Sequence, residues 1–202
     1  TIVTVAGTGG VAGYSGNLGI ATSATLNSPS DVFVSNGDTI ANRIYIADTG
    51  NHTIRVIGTD GKIATIAGTG IAGFSGDSGI ATNATLNSPS GVFVTASGTI
   101  YIADTGNNRI RRVVGDTITT IAGTDTAGFG GDEDLAINAK LNAPSDVYLD
   151  TTGTIYIADT NNHRIRAISP RDSTINTVAG TYSGGFSGDG NIPTNAELAF
   201  PE

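Results

Sequence analysis

The chain has 202 residues, of which 29 are Gly, 29 Thr, 16 Asn and 15 Asp, against only 3 Glu and 2 Lys. Lys and Glu fill exposed helix surfaces whereas Gly, Thr, Asn and Asp favour turns and strands, so the composition predicts an all-β protein. The formal net charge of −8 disfavours nucleic acid as a partner, the absence of Cys excludes disulfides and thiolate zinc sites, and no apolar stretch approaches the ~20 residues of a membrane span.

The first predicted elements are a strand-like segment and a four-stranded unit. Residues 2–6 are apolar, and a loop of about 21 residues follows them. The strands of the unit, which we label A to D, are residues 31–34, 43–47, 53–56 and 63–67. Strand B is apolar enough to be covered on both faces, and the Asp-Thr-Gly-Asn after it tolerates the positive φ of a tight turn.

The same unit returns twice, about every 55 residues. The second set of strands A to D is 91–94, 99–103, 109–112 and 118–122, and the third is 146–149, 154–158, 164–167 and 175–179. Residues 2–6 resemble strand D, but no strands A to C precede them. The first interval is longer than the others because residues 40–43 lengthen the turn between strands A and B. Four strands with tight turns, repeated in tandem, predict the blades of a β-propeller.

We predict one propeller segment over residues 1–202. Its parts are a D-like strand at 1–7, blades at 29–68, 89–123 and 144–180, and a C-terminal inter-blade loop at 181–202. Propellers close with ~4–8 blades, so three complete blades make an incomplete ring with apolar blade faces open at both ends. Three arrangements remain open: a six-bladed ring of two chains, a head-to-tail filament, or a chain that is part of a longer repeat protein.

The motifs of the second unit identify a family. Residues 86–124, which include LNSPSGVFV, GTIYIADTGNNRIRRV and ITTIAGT, resemble an NHL repeat, named for Asn-His-Leu. Asn-His is kept at residues 51–52 and 162–163, whereas residues 107–108 are Asn-Asn. The segment AGFSGDSGIATNATLNSP resembles the inter-blade loop of an extracellular and bacterial-style branch. The resemblance implies a propeller, but NHL propellers include protein-binding, RNA-binding, sensor and lyase members, so it leaves the function open.

A loop of about 21 residues follows the strand-like segment and each of the three blades, and loops of this length are uncommon in compact domains unless they have a function. Each contains Gly-aromatic-Ser/Gly-Gly-Asp/Asn and ends with Leu-x-x-Pro. We interpret the aromatic residues as anchors that fill the gap between blades: Tyr14, Phe74, Phe129 and Phe186. The Ala-x-x-Ala that three loops share predicts one tight helical turn in each.

An acidic residue ends strand B in every unit. These residues are Asp48, Asp104 and Asp159. Acid–base catalysis needs groups that their surroundings make unequal, whereas repetition makes these three carboxylates equivalent. We therefore interpret them as structural residues that accept hydrogen bonds from turn amides and pair with the strand C arginines Arg55, Arg111 and Arg166.

The sequence contains two kinds of candidate metal ligand, and it predicts no metal or cofactor. His52 and His163 are the only imidazoles, and two histidines without a third His or a Cys make a poor zinc site. The calcium candidates are the loop residues Asp77, Asp132 and Asp189, with the densest acidic cluster at 132–134. Asn17 replaces the acid in the first loop, and Asp-x-Asp-x-Asp spacing is absent, which disfavours calcium.

Two further surface features bear on partners. Asn51 and Asn83 lie in Asn-x-Thr sequons, which makes them the candidate N-glycosylation sites and glycans candidate partners. Arg109, Arg111 and Arg112 form the only basic cluster, and three arginines against a net charge of −8 do not make an RNA-binding surface. We interpret them as residues of strand pairing and inter-blade contact.

The near-identity of the units favours a non-catalytic structural or interaction scaffold. We expect it to lie outside the cell or at the cell surface and to assemble through its blades with other protein chains, first of all copies of itself. The alternative is a ligand-binding sensor or an enzyme of the lyase or hydrolase kind, with a site on the central channel where Asp31 and Asp146 would meet a substrate. Catalysis needs unlike groups that converge on one point, and the units differ mainly by Thr, Asn and Ala exchanges.

Overall fold

The computed structural model describes residues 1–36 and 42–202. In these residues the regular structure is β-strand, joined by turns and by 3-10 turns of three residues each. The strands are β1 (Asp31–Val34), β2 (Ile44–Asp48), β3 (Thr53–Ile57), β4 (Ile63–Ala67), β5 (Gly79–Ile80), β6 (Gly91–Val94), β7 (Ile100–Asp104), β8 (Arg109–Val114), β9 (Thr117–Ala122), β10 (Asp146–Leu149), β11 (Ile155–Asp159), β12 (Arg164–Ile168) and β13 (Ile175–Ala179). The prediction that residues 40–43 lengthen the first A–B turn falls partly on residues 40 and 41, which lie outside the described residues.

The described strands form three antiparallel sheets, which confirms the predicted all-β, propeller-type fold. The first sheet has the order β1-β2-β3-β4, the third β10-β11-β12-β13, and the second β5-β9-β8-β7-β6. The first and third sheets are meanders in which neighbours in sequence pair, with Asp31 opposite Ala47 and Asp146 opposite Ala158. In the second sheet β6 to β9 form the meander, and β5 of the preceding loop pairs with β9. Short turns favour this pairing of consecutive strands because the entropic cost of closing a short loop is small.

The chain has two compact units, each with its own apolar core. The first contains residues 1–100 and 113–119, and the second contains residues 101–112 and 120–202. In the first unit, Ile46, Ile57 and Ile63 pack with Ala21 and Ala24 of the preceding loop. Buried side chains of the second unit include Ile157, Ile168, Ile175, Ala136 and Ala139.

The Ala-x-x-Ala segments form the predicted helical turns. They are the 3-10 turns Ala21–Ser23, Ala81–Asn83 and Ala136–Asn138, each closed by a hydrogen bond from the amide of the second alanine to the carbonyl of the first. Both alanines of each turn are buried. In the first loop these two alanines pack with Ile46, Ile57 and Ile63, so the loop is docked on the first sheet.

Residues 2–6, predicted to be a D-like strand without a blade of its own, form no strand in this single chain. The described residues contain no strand that pairs with this segment, and Ile2 is 98% exposed. A β-strand is defined by its ladder partner, and apolar character alone does not supply one. Only the end of the segment is held, where Ala6 packs on the first core and the Gly7 amide donates to the Ala21 carbonyl.

Among the described residues, no helix has the length and apolar character that crossing a membrane requires.

Candidate functional site

Each blade contains one buried ion pair at the end of its strand B. The pairs, with their Oδ2–Nη1 distances, are Asp48–Arg55 (3.3 Å), Asp104–Arg111 (3.2 Å) and Asp159–Arg166 (3.4 Å). All six side chains are fully buried. The register of strand C shifts next to the arginine, between Ile54 and Arg55 and between Ile165 and Arg166, and such a bulge re-aims the side chain that follows it.

Hydrogen bonds from the turns satisfy the remaining lone pairs of these carboxylates. Asp48 Oδ1 accepts from the Asn27 amide and Oδ2 from Asn51 Nδ2, both at 2.8 Å. Asp159 has the equivalent donors, Asn142 N and Asn162 Nδ2. Burial raises the pKa of Asp159, and the hydrogen bonds from Asn162 and Asn142 and the charge of Arg166 oppose that rise. These contacts agree with the interpretation of the carboxylates as structural residues.

The strand C arginines also bind the loop that precedes their blade. Arg55 Nη2 donates to the Ser15 carbonyl at 3.2 Å, and its guanidinium lies 4.9 Å from the centre of the Tyr14 ring. In the third blade, Arg166 Nη2 donates to the Gly130 carbonyl at 3.3 Å and lies 4.9 Å from the Phe129 ring. The loop aromatics therefore lie on arginines of their own blade, where cation–π attraction adds to packing.

The predicted calcium residue Asp132 is engaged by protein groups. Its Oδ1 lies 2.6 Å from Arg166 Nη2, and its Oδ2 accepts from Thr177 Oγ1 at 2.8 Å. Asn17, at the same position of the first loop, accepts from the Thr65 amide at 2.7 Å. The other two candidates, Asp77 and Asp189, are exposed. Within the described residues, no group of three or more His, Cys, Asp or Glu side chains is placed to hold a metal ion.

The two histidines accept hydrogen bonds from backbone amides. His52 Nδ1 accepts from the Ser88 amide at 3.0 Å, and His163 Nδ1 from the Phe200 amide at 3.2 Å. In the middle repeat, Asn108 Oδ1 accepts from the Ala143 amide at 2.9 Å. Each donor precedes the proline of a Leu-x-x-Pro motif, so this position fixes the turn that begins the next blade.

The asparagine before each histidine holds the loop on the other side. Asn51 Nδ2 donates to the Gly13 carbonyl as well as to Asp48, and Asn162 Nδ2 donates to the Gly128 carbonyl, both at 2.7 Å. The Asn-His element therefore joins the loop before a blade to the turn after it. Asn51, a candidate glycosylation site, is buried, and its side-chain amide nitrogen makes both of these hydrogen bonds. Asn83 is exposed.

We expect His52→Asn to keep the stability of the chain and His52→Ala to lower it by about 1–2 kcal/mol, because the partly buried Ser88 amide then has no acceptor. Asn108 shows that an asparagine oxygen makes the same bond in the same left-handed backbone, with φ of 55° against 54° at His52. Urea unfolding measures both values. Equal losses in the two variants would show that the imidazole acts by another contact.

The remaining predicted residues also have backbone partners. Asp31 Oδ2, expected on the channel, accepts from the Val92 amide at 2.8 Å, and Asp146 Oδ1 accepts from the Val147 amide. In the basic cluster, Arg109 Nη1 donates to the Asn107 carbonyl while Arg111 is buried in its ion pair. These groups take part in repeated structural bonds rather than in one converging site.

Sequence reasoning missed a third inter-blade contact, made by threonine. Thr49 Oγ1 donates to the Pro89 carbonyl at 2.7 Å, and Thr105 and Thr160 donate to the Pro144 and Pro201 carbonyls at 2.8 Å. The signal was present, since Thr follows Tyr-Ile-Ala-Asp in every unit. Its partner is distant in sequence, so the motif alone does not reveal it.

One face of the first sheet is open. Val32 of β1 is 61% exposed, whereas Val92, its equivalent in β6, is 2% exposed. On the opposite side of β1, the Phe33 ring meets the Phe93 ring of β6 edge to face at 5.1 Å. A cleft of about 330 Å³ beside β1 is lined by Val5, Leu26, Pro29, Val32 and Ile46, among others. The described residues leave this largely apolar face exposed.

Three meander sheets held by the same buried pair, turn cap and docked loop define a β-propeller repeat protein. The chain belongs to the NHL-repeat family: residues 57–114 match the model of the teneurin NHL domain, and residues 141–168 match that of the NHL repeat.

Relatives and solved structures agree with this family. The chain is 32% identical over 178 residues to mouse teneurin-1, a match that covers 78% of the chain and 6% of teneurin-1. It is 32% identical over 145 residues to human NHL repeat-containing protein 2, covering 65% of the chain and 19% of that protein. An auxiliary nutrient binding protein from Bacteroides thetaiotaomicron superposes with a TM-score of 0.60 at 17% identity, over 82% of the chain and 40% of that protein. The chain thus spans a small part of the curated relatives.

Proposed function

We propose that this chain is a non-catalytic protein-interaction module that assembles through its blades with other chains, in the first place with copies of itself. The observation that carries the proposal is the open face of β1, where Val32 and Val34 are exposed although Val92 and Val94 of β6 are buried. Apolar faces of this kind mark interaction sites in soluble proteins. The similarity to the teneurin NHL domain supports an interaction role.

The hydrogen bonds that the aspartate side chains accept support a non-catalytic role. Asp48 and Asp159 are held by the same three kinds of donor, and Asp31 and Asp146 are bound by backbone amides. A catalytic site needs groups in unequal surroundings, and repetition gives these groups equal ones.

A location outside the cell or at its surface is part of this proposal. The exposed sequon at Asn83 supports it, since a glycan there would meet no packed side chain. The repeat itself does not set the location, because a relative from Arabidopsis thaliana that is 30% identical over 165 residues is named as chloroplastic.

Light scattering coupled to size-exclusion chromatography tests the assembly. We expect a mass of at least two chains of 20.3 kDa, and we expect Val32→Asp to shift the population to the monomer, because a charge on the open face opposes its burial. The matched control is Val11→Asp, at a loop valine of similar exposure (58%), which should leave the mass unchanged. A folded wild-type monomer at every concentration would contradict self-assembly.

A further inference from the structure

The second compact unit contains a cleft of about 320 Å³. Its lining side chains come from β8, β9, β11 and β12, from the loop before the third blade and from the last hairpin, and all of them belong to residues 101–112 and 120–202. They include Arg112, Ile121, Leu135, Ile137, Ile155 and Ile168. The cleft is therefore largely aliphatic with one cation, and its volume is at the lower end of those that hold small ligands.

The cation of this cleft, Arg112, is a departure from the repeat. The residue that follows the buried strand C arginine is Val56 in the first blade and Ala167 in the third. Both lie opposite the tyrosine of strand B, so they occupy one position of the blade. Because a small or aliphatic side chain completes the blade at this position twice, the fold does not require an arginine there.

Arg112 has no countercharge among the described residues. The fully buried strand C arginines each pair with an aspartate, whereas none of the ion pairs in the described chain includes Arg112. Asp134, next to Leu135 of the cleft, accepts instead from the Leu135 amide at 2.6 Å. The Arg112 side chain is only partly exposed, and its Nε is buried without a hydrogen-bond partner. A partly buried guanidinium of this kind favours an anion beside it.

A second departure from the repeat lies in the same cleft. Ile137 is the middle residue of its 3-10 turn and is 43% exposed. The equivalent residues of the other three loop turns are Thr22, Thr82 and Thr194. An exposed isoleucine adds nothing that the turn needs, but with Leu135, which is 46% exposed, it adds apolar surface to the cleft. Two unlike groups, a cation and an added aliphatic side chain, thus converge on one place in a chain of otherwise similar units.

We propose that this cleft binds a small monocarboxylate with an apolar chain, whose carboxylate pairs with Arg112 and whose chain lies against Leu135 and Ile137. A guanidinium donates to a carboxylate in a planar fork, and the chain removes exposed aliphatic surface from water. The inference goes beyond the proposed assembly and does not depend on it, because the residues that line the cleft belong to one compact unit of one chain.

The test is a titration of the full chain, labelled with ¹⁵N, with sodium octanoate. We expect saturable shifts at the amides of residues 112, 121 and 135–137, with a dissociation constant on the order of 1 mM. Arg112→Val, which introduces the side chain that the first blade has, should weaken binding about tenfold or more. Ile137→Thr, which restores the residue of the other turns, should weaken it about threefold. Octylammonium, which has the same chain and the opposite charge, should leave these amides unshifted.

Lys140→Val is the matched control, because it removes an exposed cation of the same loop that does not line the cleft, and it should change binding less than about twofold. Amides that octanoate does not shift, equal affinities of the wild type and Arg112→Val, equal losses in the Arg112 and Lys140 variants, or equal binding of octylammonium would each overturn the site. Unchanged spectra outside the cleft show that each variant is folded.

Discussion

Replacement of Arg55 with alanine is expected to lower the free energy of unfolding by about 3–5 kcal/mol, because it leaves the buried carboxylate of Asp48 without its countercharge. The same change removes the hydrogen bond to the Ser15 carbonyl and the stacking on Tyr14, so the first loop should loosen as well. Urea unfolding, followed by tyrosine fluorescence since the chain has no Trp, measures the loss.

The matched control for Arg55→Ala is Arg171→Ala. Arg171 is exposed in the last hairpin, so its removal should change the free energy of unfolding by less than about 0.5 kcal/mol. Hydrogen exchange should become faster at residues 13–17 in the Arg55 variant only. If both variants unfold at the same urea concentration, the buried pair contributes no net stability and the interpretation of Asp48 as a structural residue that depends on Arg55 is wrong.

The second large effect is expected from Gly68→Ala. Gly68 has φ of 92°, and a Cβ there would collide with the His52 carbonyl oxygen and lie 3.0 Å from the Thr53 Cα. Both obstacles are backbone atoms of the turn between strands B and C, which cannot move without loss of the Asn-His contacts. We expect a loss of about 3 kcal/mol or more in the free energy of unfolding, from backbone strain together with overpacking.

Gly61→Ala separates strain from collision. Gly61 also has a positive φ, 73°, but no atom lies within 4 Å of a Cβ built on it. It should therefore lose only about 1 kcal/mol, the cost of an alanine in left-handed backbone. Thermal or urea unfolding of the two variants gives the difference, and equal losses would show that close approach at Gly68 is not what the glycine provides.

The strands and turns were predictable because the repeat presents each local pattern three times. Strands B and C, such as 99–103 and 109–112, agree with β7 and β8 to within two residues at either end. The sequence also predicted the pairing of Asp48 with Arg55, because the two residues lie seven positions apart on the two strands of one hairpin. Residues 2–6 show the limit, because a sequence that resembles strand D forms a strand only where a partner strand lies beside it.

Contacts between residues that lie far apart along the chain could not be predicted from the sequence. The predicted roles of Asp132 as a calcium candidate and Asn51 as a glycan site depend on what surrounds each side chain, and only the fold brings Arg166 to Asp132 and Gly13 to Asn51. The sequence predicted Phe129 as an anchor but did not reveal its partner, because Arg166 lies on a strand 37 residues further along the chain.

The sequence by itself therefore determined the all-β class, the number of repeats and the residues that recur in each. Local patterning is sufficient for these because the period of a strand and the chemistry of a turn are set by neighbouring residues. Only the tertiary structure decided which of the equivalent residues are buried or have a contact partner. Val92 is covered while Val32 is not, and Phe129 holds arginines while Phe186 holds none in the described chain, because burial depends on what packs against a blade.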